Sequence, residues 1–585
     1  MAFIPEIANE RISPSLAGAI VFRWKTALFQ MKRATTDLFN SRIKKHRKQS
    51  KLRTAPIIAA SKTKLWTEVA PAERYLVAGK IHNLRLAVAK LEGLEIPAGN
   101  TFSFWKQVGR TSRVKGFAVG RELREGCIIP NIGGGLCQIS NALFDAALQA
   151  EFEIVERHAH SQVIPGSVAE KGRDATVFWN YVDLRFSSVG AFRIEASLDG
   201  ENLTLQFRAE RNAVKRLQPI ARKVIHAGSP NSCASCDQGD CHRVVNRSAN
   251  ADFGRSAFLV DEFTPEFDRY ISEIRTTNDV IMMPLDGRRF RKANYAWTAR
   301  GFGSVKHSVF VTAVRSYRSR RLSAQGAARQ LNLLKMYEQL AASYARRLGP
   351  EILHLVVQQN LLPFLWKSGH LGGRTFDVLM TAMPMTNLQE SLDHASSLHP
   401  ESPTLSDFRA DPDLVAVEME ALRHARKIVT PHTAIARLFP KRAGILDWKQ
   451  PQIAQRKAAS NAKMRVVFPA STVGRKGCYE LRDAMRGIDA KLILLGPIIE
   501  KADFWGGFAV EQGGNDWLQT ADIVVLPAFV EHRPRRLLLA ASCGIPVIAS
   551  EACGVSNVAG IRTIEAGDSA SLRSSILIAF PSAIR

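Results

Sequence analysis

Three groups of residues in this 585-residue chain have types and spacings that could do chemistry. The first is Gly133-Gly134-Gly135-Leu136-Cys137-Gln138-Ile139-Ser140-Asn141, followed by the helical stretch Ala142 to Ala150. Three glycines permit a tight turn and a close backbone approach. They place Cys137 in the first turn of the next helix, where the dipole and free amides favour a nucleophilic thiolate. Downstream, Glu156, His158 and His160 alternate in an extended run, which puts all three on one face of a predicted strand. His158 or His160 could act as the base for the thiol, and Asp174 or Asp183 could orient the imidazole. The same residues also fit a buried structural cysteine beside a tight turn, with the histidines bonded to backbone carbonyls.

The second group is Cys233-Ala-Ser-Cys236-Asp-Gln-Gly-Asp-Cys241-His242. Two cysteines three apart can chelate one ion across a turn, and Cys241 with His242 would complete four ligands, zinc being the first choice. His226 is the other candidate fourth ligand, and a reduced loop with incidental thiols is the alternative. The third group lies in Val467-Phe-Pro-Ala-Ser-Thr-Val-Gly-Arg475-Lys476-Gly477, a strand and then a loop with two adjacent cations. A helix is predicted to begin near Tyr479, and cations backed by helix amides suit a diphosphate. Farther on, Ala521-Asp-Ile-Val-Val-Leu-Pro527 leads to Glu531.

The elements that must position these groups change character along the chain. Residues 65–99 read as a helix with apolar positions at Leu76, Ile81, Leu84, Leu86 and Val88. From Glu153 to Phe207 the pattern is mostly β, and Asp199-Gly200 between two alternating runs signals a hairpin. Residues 213–275 are expected to be a cysteine-bearing connector. From about 276 short apolar strands alternate with helical stretches, which predicts two doubly wound parallel units, 276–440 and 441–585. Gly301-Phe-Gly303 is a candidate glycine-rich acceptor loop. His307, His354 and His432 read as structural.

The net charge of +26 is unevenly placed. Residues 1–64 hold fourteen Lys/Arg against three acids, and residues 286–347 hold fourteen against Asp286 and Glu338. The remainder is almost neutral, which excludes a nucleic-acid binder charged throughout. Hydrophobic content of 46% excludes a disordered chain. No apolar run reaches the roughly 18 residues of a spanning helix, and Leu16 to Phe22 is too short for a secretory signal. The expected compartment is the cytoplasm. The basic arm 1–64, with Trp24, Phe29, Met31 and Leu38 among its cations, could lie on the inner membrane face or be a solvated arm.

Two resemblances add to this reading. Asn100-Thr-Phe-Ser-Phe-Trp, Val108-Gly-Arg-Thr, Gly133-Gly-Gly-Leu-Cys-Gln, Glu156-Arg-His-Ala-His-Ser and Gly172-Arg-Asp-Ala-Thr-Val-Phe-Trp-Asn-Tyr with Asp183-Leu-Arg-Phe resemble, in order, the VanW family. That resemblance covers about 65–210, within a domain 65–212, and implies an association with the bacterial envelope. The segment from Val467 through Glu531 to Cys543-Gly-Ile-Pro-Val-Ile-Ala-Ser resembles the sugar-nucleotide half of retaining, family-four GT-B glycosyltransferases. It implies that Lys476 contacts donor phosphates and that Glu531 opens a Glu-x7-Glu pair for donor sugar and ribose. The second glutamate falls at Leu539 and the family's arginine at Ser471, for which Arg475 could substitute. Such enzymes need no bound divalent metal, so an ion at the connector would be structural.

The expectation is a multidomain α/β protein, an α+β VanW-like domain joined to two Rossmann-like domains. Its expected function is sugar transfer from a nucleotide-sugar donor to an anionic glycan or lipid-linked acceptor in envelope glycan or peptidoglycan assembly. The alternative is a non-catalytic glycan- or lipid-precursor-binding module that recruits the VanW-like domain. Thiol-dependent processing of peptidoglycan at Cys137 is compatible with either.

Overall fold

The computed structural model describes residues 16–67, 69, 71–124, 127–160, 168–179, 181–210, 231–232, 253–321, 326–451 and 463–579. The Cys233, Cys236, Cys241 and His242 group lies outside them. The chain divides into two units, one of Met1–Gly254 with Gly349–Leu353 and Ser368–Arg374, the other of the remaining segments through Arg585.

The first unit is built on antiparallel sheets. Strands Ile57–Lys64, Asn202–Ala209, Phe192–Leu198 and Leu94–Ile96 form one sheet in that order. The expected hairpin forms, with Asp199 N–H bonded to Asn202 O at 3.0 Å. Along Asn202–Ala209 burial alternates strictly, so Leu203, Leu205, Phe207 and Ala209 enter the core while the intervening residues face outward. Phe207 meets Phe152, Phe186 and Phe192 with ring centroids 5.5–5.6 Å apart, an aromatic cluster under the sheet. The predicted long helix is Arg74–Leu91, shorter than expected at both ends. Helix Cys137–Gln149 begins at the cysteine, as the glycine turn predicts.

The basic arm is not simply solvated. Leu16–Phe39 is a helix that rests on its unit through one face. Arg33 grips Glu156 with both guanidinium nitrogens at 2.9 and 2.7 Å, Gln30 donates to Trp179 O, and Asp37 meets Arg185 at 2.6 Å.

The second unit contains two sheets of one design. Strands Ser304–His307, Val280–Met283, Arg255–Leu259, Ile352–Gln358, Thr375–Leu379, Lys427–Thr430 and Ala443–Ile445 lie side by side in that order. Numbered in chain order this is 3-2-1-4-5-6-7, with parallel registers. The second sheet, Ala509–Gln512, Ala490–Leu494, Met464–Phe468, Ile523–Leu526, Val547–Ser550 and Ile561–Ile564, is 3-2-1-4-5-6 and parallel. Both are doubly wound sheets. Val466–Phe468, Ile523–Leu526 and Val547–Ala549 are buried without alternation, because helices cover both faces.

Two features differ from the sequence expectation. The parallel sheet starts at Arg255–Leu259 and its helix at Pro265–Ile274, inside the span expected as connector. A five-residue strand carries too little pattern to separate it from loop. Gly301-Phe302-Gly303 precedes strand Ser304–His307, so it sits at the strands' N-terminal ends, away from any site at their C-terminal ends. There Gly303 N bonds Asp279 O at 3.0 Å and Gly301 packs on the Arg275 guanidinium, a structural role. No helix among the described residues is long and apolar enough to cross a membrane.

Candidate functional site

In the first unit, strand Cys127–Ile132 runs into the glycine turn that opens helix Cys137–Gln149. Gly135 has φ +97°, and a Cβ there would sit 2.1 Å from Lys80 Cγ, so only glycine lets the turn lie on the buried Lys80 stem. The turn thus fixes Cys137 at the helix start, half-buried.

The segment Asp174–Val177 runs past this helix end and is clamped to it. Ser140 Oγ donates to Ala175 O at 2.5 Å, and Asn141 Oδ1 accepts from Ala175 N at 2.7 Å. The clamp brings Thr176 Oγ1 to 3.7 Å from Cys137 Sγ, with the Val177 backbone beside it. His160 interacts electrostatically with the same sulfur. Its Nδ1 lies 2.6 Å from Asp174 Oδ1, and its backbone N–H donates to Asp174 Oδ2 at 2.5 Å. The carboxylate therefore holds the Nδ1 proton and leaves the second ring nitrogen for the thiol.

The electrostatics follow from this geometry. Burial disfavours charge on both partners. On His160 the adjacent sulfur and Asp174 outweigh it and push the imidazole up to about 10. On Cys137 the His160 charge and three hydrogen bonds bring the thiol below its ordinary value despite burial. Each group thus favours the charged form of the other, thiolate on Cys137 and imidazolium on His160.

His158 does not join this group. The strand ends at Glu156, and the following residues are irregular, so the expected alternation breaks. The His158 side chain stays 48% exposed, 3.3 Å from Glu156. Asp183 is committed to Ser103 Oγ at 2.6 Å and Arg185 at 2.9 Å. Thr176, Ser140 and Asn141 are site residues that sequence reasoning missed; the adjacent polar pair Ser140-Asn141, set between Ile139 and Ala142 just after the cysteine, was the available signal.

In the second unit, doubly wound sheets form a crevice outside the C-terminal ends of strands 1 and 4, where the winding reverses. In the second sheet those strands are Met464–Phe468 and Ile523–Leu526, and the loops after them carry Lys476 and Glu531. The loops are stitched together, because Arg475 O accepts from Phe529 N and Val530 N at 3.0 and 3.2 Å. Gly477 permits this approach: a Cβ there would lie 2.1 Å from Pro527 O, and its φ is +75°. Lys476 Nζ meets Glu531 Oε2 at 2.9 Å and donates to Val530 O at 2.8 Å. Burial raises the Glu531 carboxyl, but Lys476 and the Arg533 N–H outweigh it and hold it at about 2. The Arg475 guanidinium lies over the Phe408 ring at 5.1 Å.

The strand ends of the first sheet meet those of the second within this unit. His432, fully buried after strand Lys427–Thr430, places Nε2 at 3.3 Å from Glu531 O and 3.2 Å from Ala552 O. Its Nδ1 accepts from Ile435 N at 3.4 Å, and burial drops its pKa to about 4, so it is a neutral positioning group. At the matching crevice of the first sheet, Asp261 is fully buried against Arg315 at 2.6 Å and Asn360 at 2.7 Å. Burial pushes its carboxyl above the usual range even so. Neither Asp261 nor Arg315 was singled out from sequence, since strand 1 itself was not. Leu539 lies in helix Arg535–Ser542, where it offers no acceptor for a ribose hydroxyl. Among the described residues no group of three or more His, Cys, Asp or Glu could hold a metal ion.

Residues 79–208 match the family described as VanW like protein. The chain is 34% identical over 157 residues to the vancomycin B-type resistance protein VanW of Enterococcus faecalis. It is 36% identical over 107 residues to the uncharacterized protein YoaR of Bacillus subtilis. These alignments take in 26% and 18% of this chain, and they span 54% and 35% of those relatives. Among solved structures, it is similar to sucrose-phosphate synthase from Thermosynechococcus elongatus (13% identity, TM-score 0.37, 57% of this chain and 91% of that one). It is also similar to HepE of Anabaena in complex with UDP and glucose (14% identity, TM-score 0.34, 56% of this chain and 90% of that one). The stretch 79–208, which holds Cys137, His160 and Asp174, is a VanW-like domain.

Proposed function

We propose that the second unit is a GT-B-type glycosyltransferase that moves a sugar from a nucleotide donor during bacterial envelope glycan assembly. The observation that carries this reading is the Lys476–Glu531 pair, 2.9 Å apart, at the crevice where a doubly wound sheet takes its ligand. A donor diphosphate would replace Glu531 as the counter-charge of Lys476, with Arg475 beside it, and free the carboxylate for the donor sugar's hydroxyls. The acceptor would enter between 276–440 and 441–562, near Asp261. The cations of 286–347, Arg288 and Arg289 among them, suit a phosphorylated or lipid-linked acceptor. The VanW-like domain would be an accessory, and the compartment the cytoplasm or the inner membrane face.

Leu539 and Ser471 favour a second reading, a binding module without turnover, because two donor contacts expected of the family are missing. Incubating nucleotide sugars with wild type and Lys476→Ala separates the two. Nucleotide release that depends on Lys476 supports transfer. No release, with tight binding of an anionic glycan, supports the module.

A further inference from the structure

We propose that Cys137, His160 and Asp174 form a second catalytic centre, in which the Cys137 sulfur takes an acyl group from an amide or ester and passes it to water or an amine. This inference is independent of sugar transfer, since it rests on residues of the first unit alone.

The arrangement goes beyond what a structural cysteine requires. A buried thiol packs as a small apolar group and needs no ionic partner. Here the sulfur meets an imidazole whose far nitrogen is fixed by a 2.6 Å contact to Asp174, itself only 2% exposed. Nucleophile, base and orienting carboxylate therefore stand in the order that thiol acyl transfer uses. Ser140, Asn141 and Arg157 hydrogen-bond Ala175 and Asp174, so they hold the carboxylate's segment in place. The backbone N–H of Cys137 donates to no described residue, which leaves it for the oxyanion of an attacked carbonyl. Cys137 as a residue is half-buried, at the start of its helix.

The steps balance without any redox partner. The thiolate attacks the carbonyl carbon and an S–C bond forms. The C–N or C–O bond of the substrate breaks as His160 gives its proton to the leaving amine or alcohol. Water or an acceptor amine then attacks the thioester and yields its proton to His160. The S–C bond breaks, and the thiolate–imidazolium pair is restored.

The test uses the full chain with p-nitrophenyl acetate. The expected result is a burst of p-nitrophenolate with one acetyl group on the peptide that contains Cys137. Cys137→Ser should abolish the adduct, and Cys127→Ser should leave it. His160→Asn and Asp174→Asn should slow acetylation by at least about tenfold at pH 7. At pH 6, alkylation of Cys137 by iodoacetamide should likewise slow at least about tenfold in His160→Asn. Equal rates in wild type and a folded His160→Asn protein, or fast alkylation with no acetyl adduct, would overturn the proposal. If His160→Asn does not fold, the wild-type profile decides. A flat alkylation rate between pH 6 and 8 supports the centre, and a rate that rises with pH like that of an ordinary thiol overturns it.

Discussion

Replacing Lys476 with Met should destabilise the second unit in a way that depends on pH. Glu531 is held at about 2, against an ordinary 4.5, although its side chain is only 14% exposed. At about 1.4 kcal/mol per tenfold, that difference corresponds to about 3 kcal/mol, within the range for breaking a buried pair. The sign follows from the depressed value. Stabilisation by the ionised Glu531 is complete above pH 4.5 and is lost as pH falls through 4.5 toward 2. In Lys476→Met the carboxyl keeps its burial and loses its main counter-charge, so it titrates at or above the ordinary value. The gap between wild type and variant should be at least about 3 kcal/mol at pH 7 and shrink to about 1 kcal/mol at pH 3. Urea unfolding at both pH values, followed by fluorescence of Trp505 and Trp517 against Trp→Phe controls, measures the gap. Lys476→Met/Glu531→Gln should recover most of the loss at pH 7. A gap of equal size at both pH values would refute the reasoning.

Three further outcomes are expected. Phe207→Ala empties the centre of the aromatic cluster in the first unit and should lower its stability by about 3–5 kcal/mol, read from the urea midpoint. Gly477→Ala forces a Cβ toward Pro527 O in a left-handed backbone, so it should abolish donor binding in isothermal titration before it unfolds the sheet. The helix Leu16–Phe39 docks by Gln30, Arg33 and Asp37, which turns Trp24, Leu28 and Met31 outward at 71%, 60% and 61% exposure, flanked by Lys25 and Lys32. Trp24→Ser/Leu28→Ser should therefore lose co-flotation with vesicles containing phosphatidylserine while its thermal midpoint stays within about 1 °C of wild type.

How much of this was legible in the sequence depends on the range of the interaction that fixes each part. Parallel strands such as Ile523–Leu526 and Val547–Ser550 are buried on both faces, and their unbroken apolar runs announce them. The start of helix Cys137–Gln149 was equally readable, because the glycines that set it are adjacent to it. Contacts between distant segments were not. Glu266 forms a bidentate pair with Arg535 at 2.6 and 2.5 Å, across 269 residues, and no local pattern encodes it. The choice between His158 and His160 belongs to the same class. It is decided by where Asp174 comes to lie, which depends on the Ser140 and Asn141 clamp. Leu16–Phe39 shows the limit from the other side: its composition suggested an arm, and its docking depends on Glu156 and Trp179, more than a hundred residues away in sequence.

The central claim is that Lys476 and Glu531 hold a nucleotide-sugar donor, and a thermal-shift screen of nucleotide sugars on the full chain tests it most directly. A donor present at about 100 times its Kd should stabilise the unit that binds it by about 2.7 kcal/mol, raising its midpoint by a few degrees. That shift is expected for at least one nucleotide sugar with wild type, and its loss in Lys476→Ala. A shift of the same size in Lys476→Ala, or none with any nucleotide sugar, would contradict it.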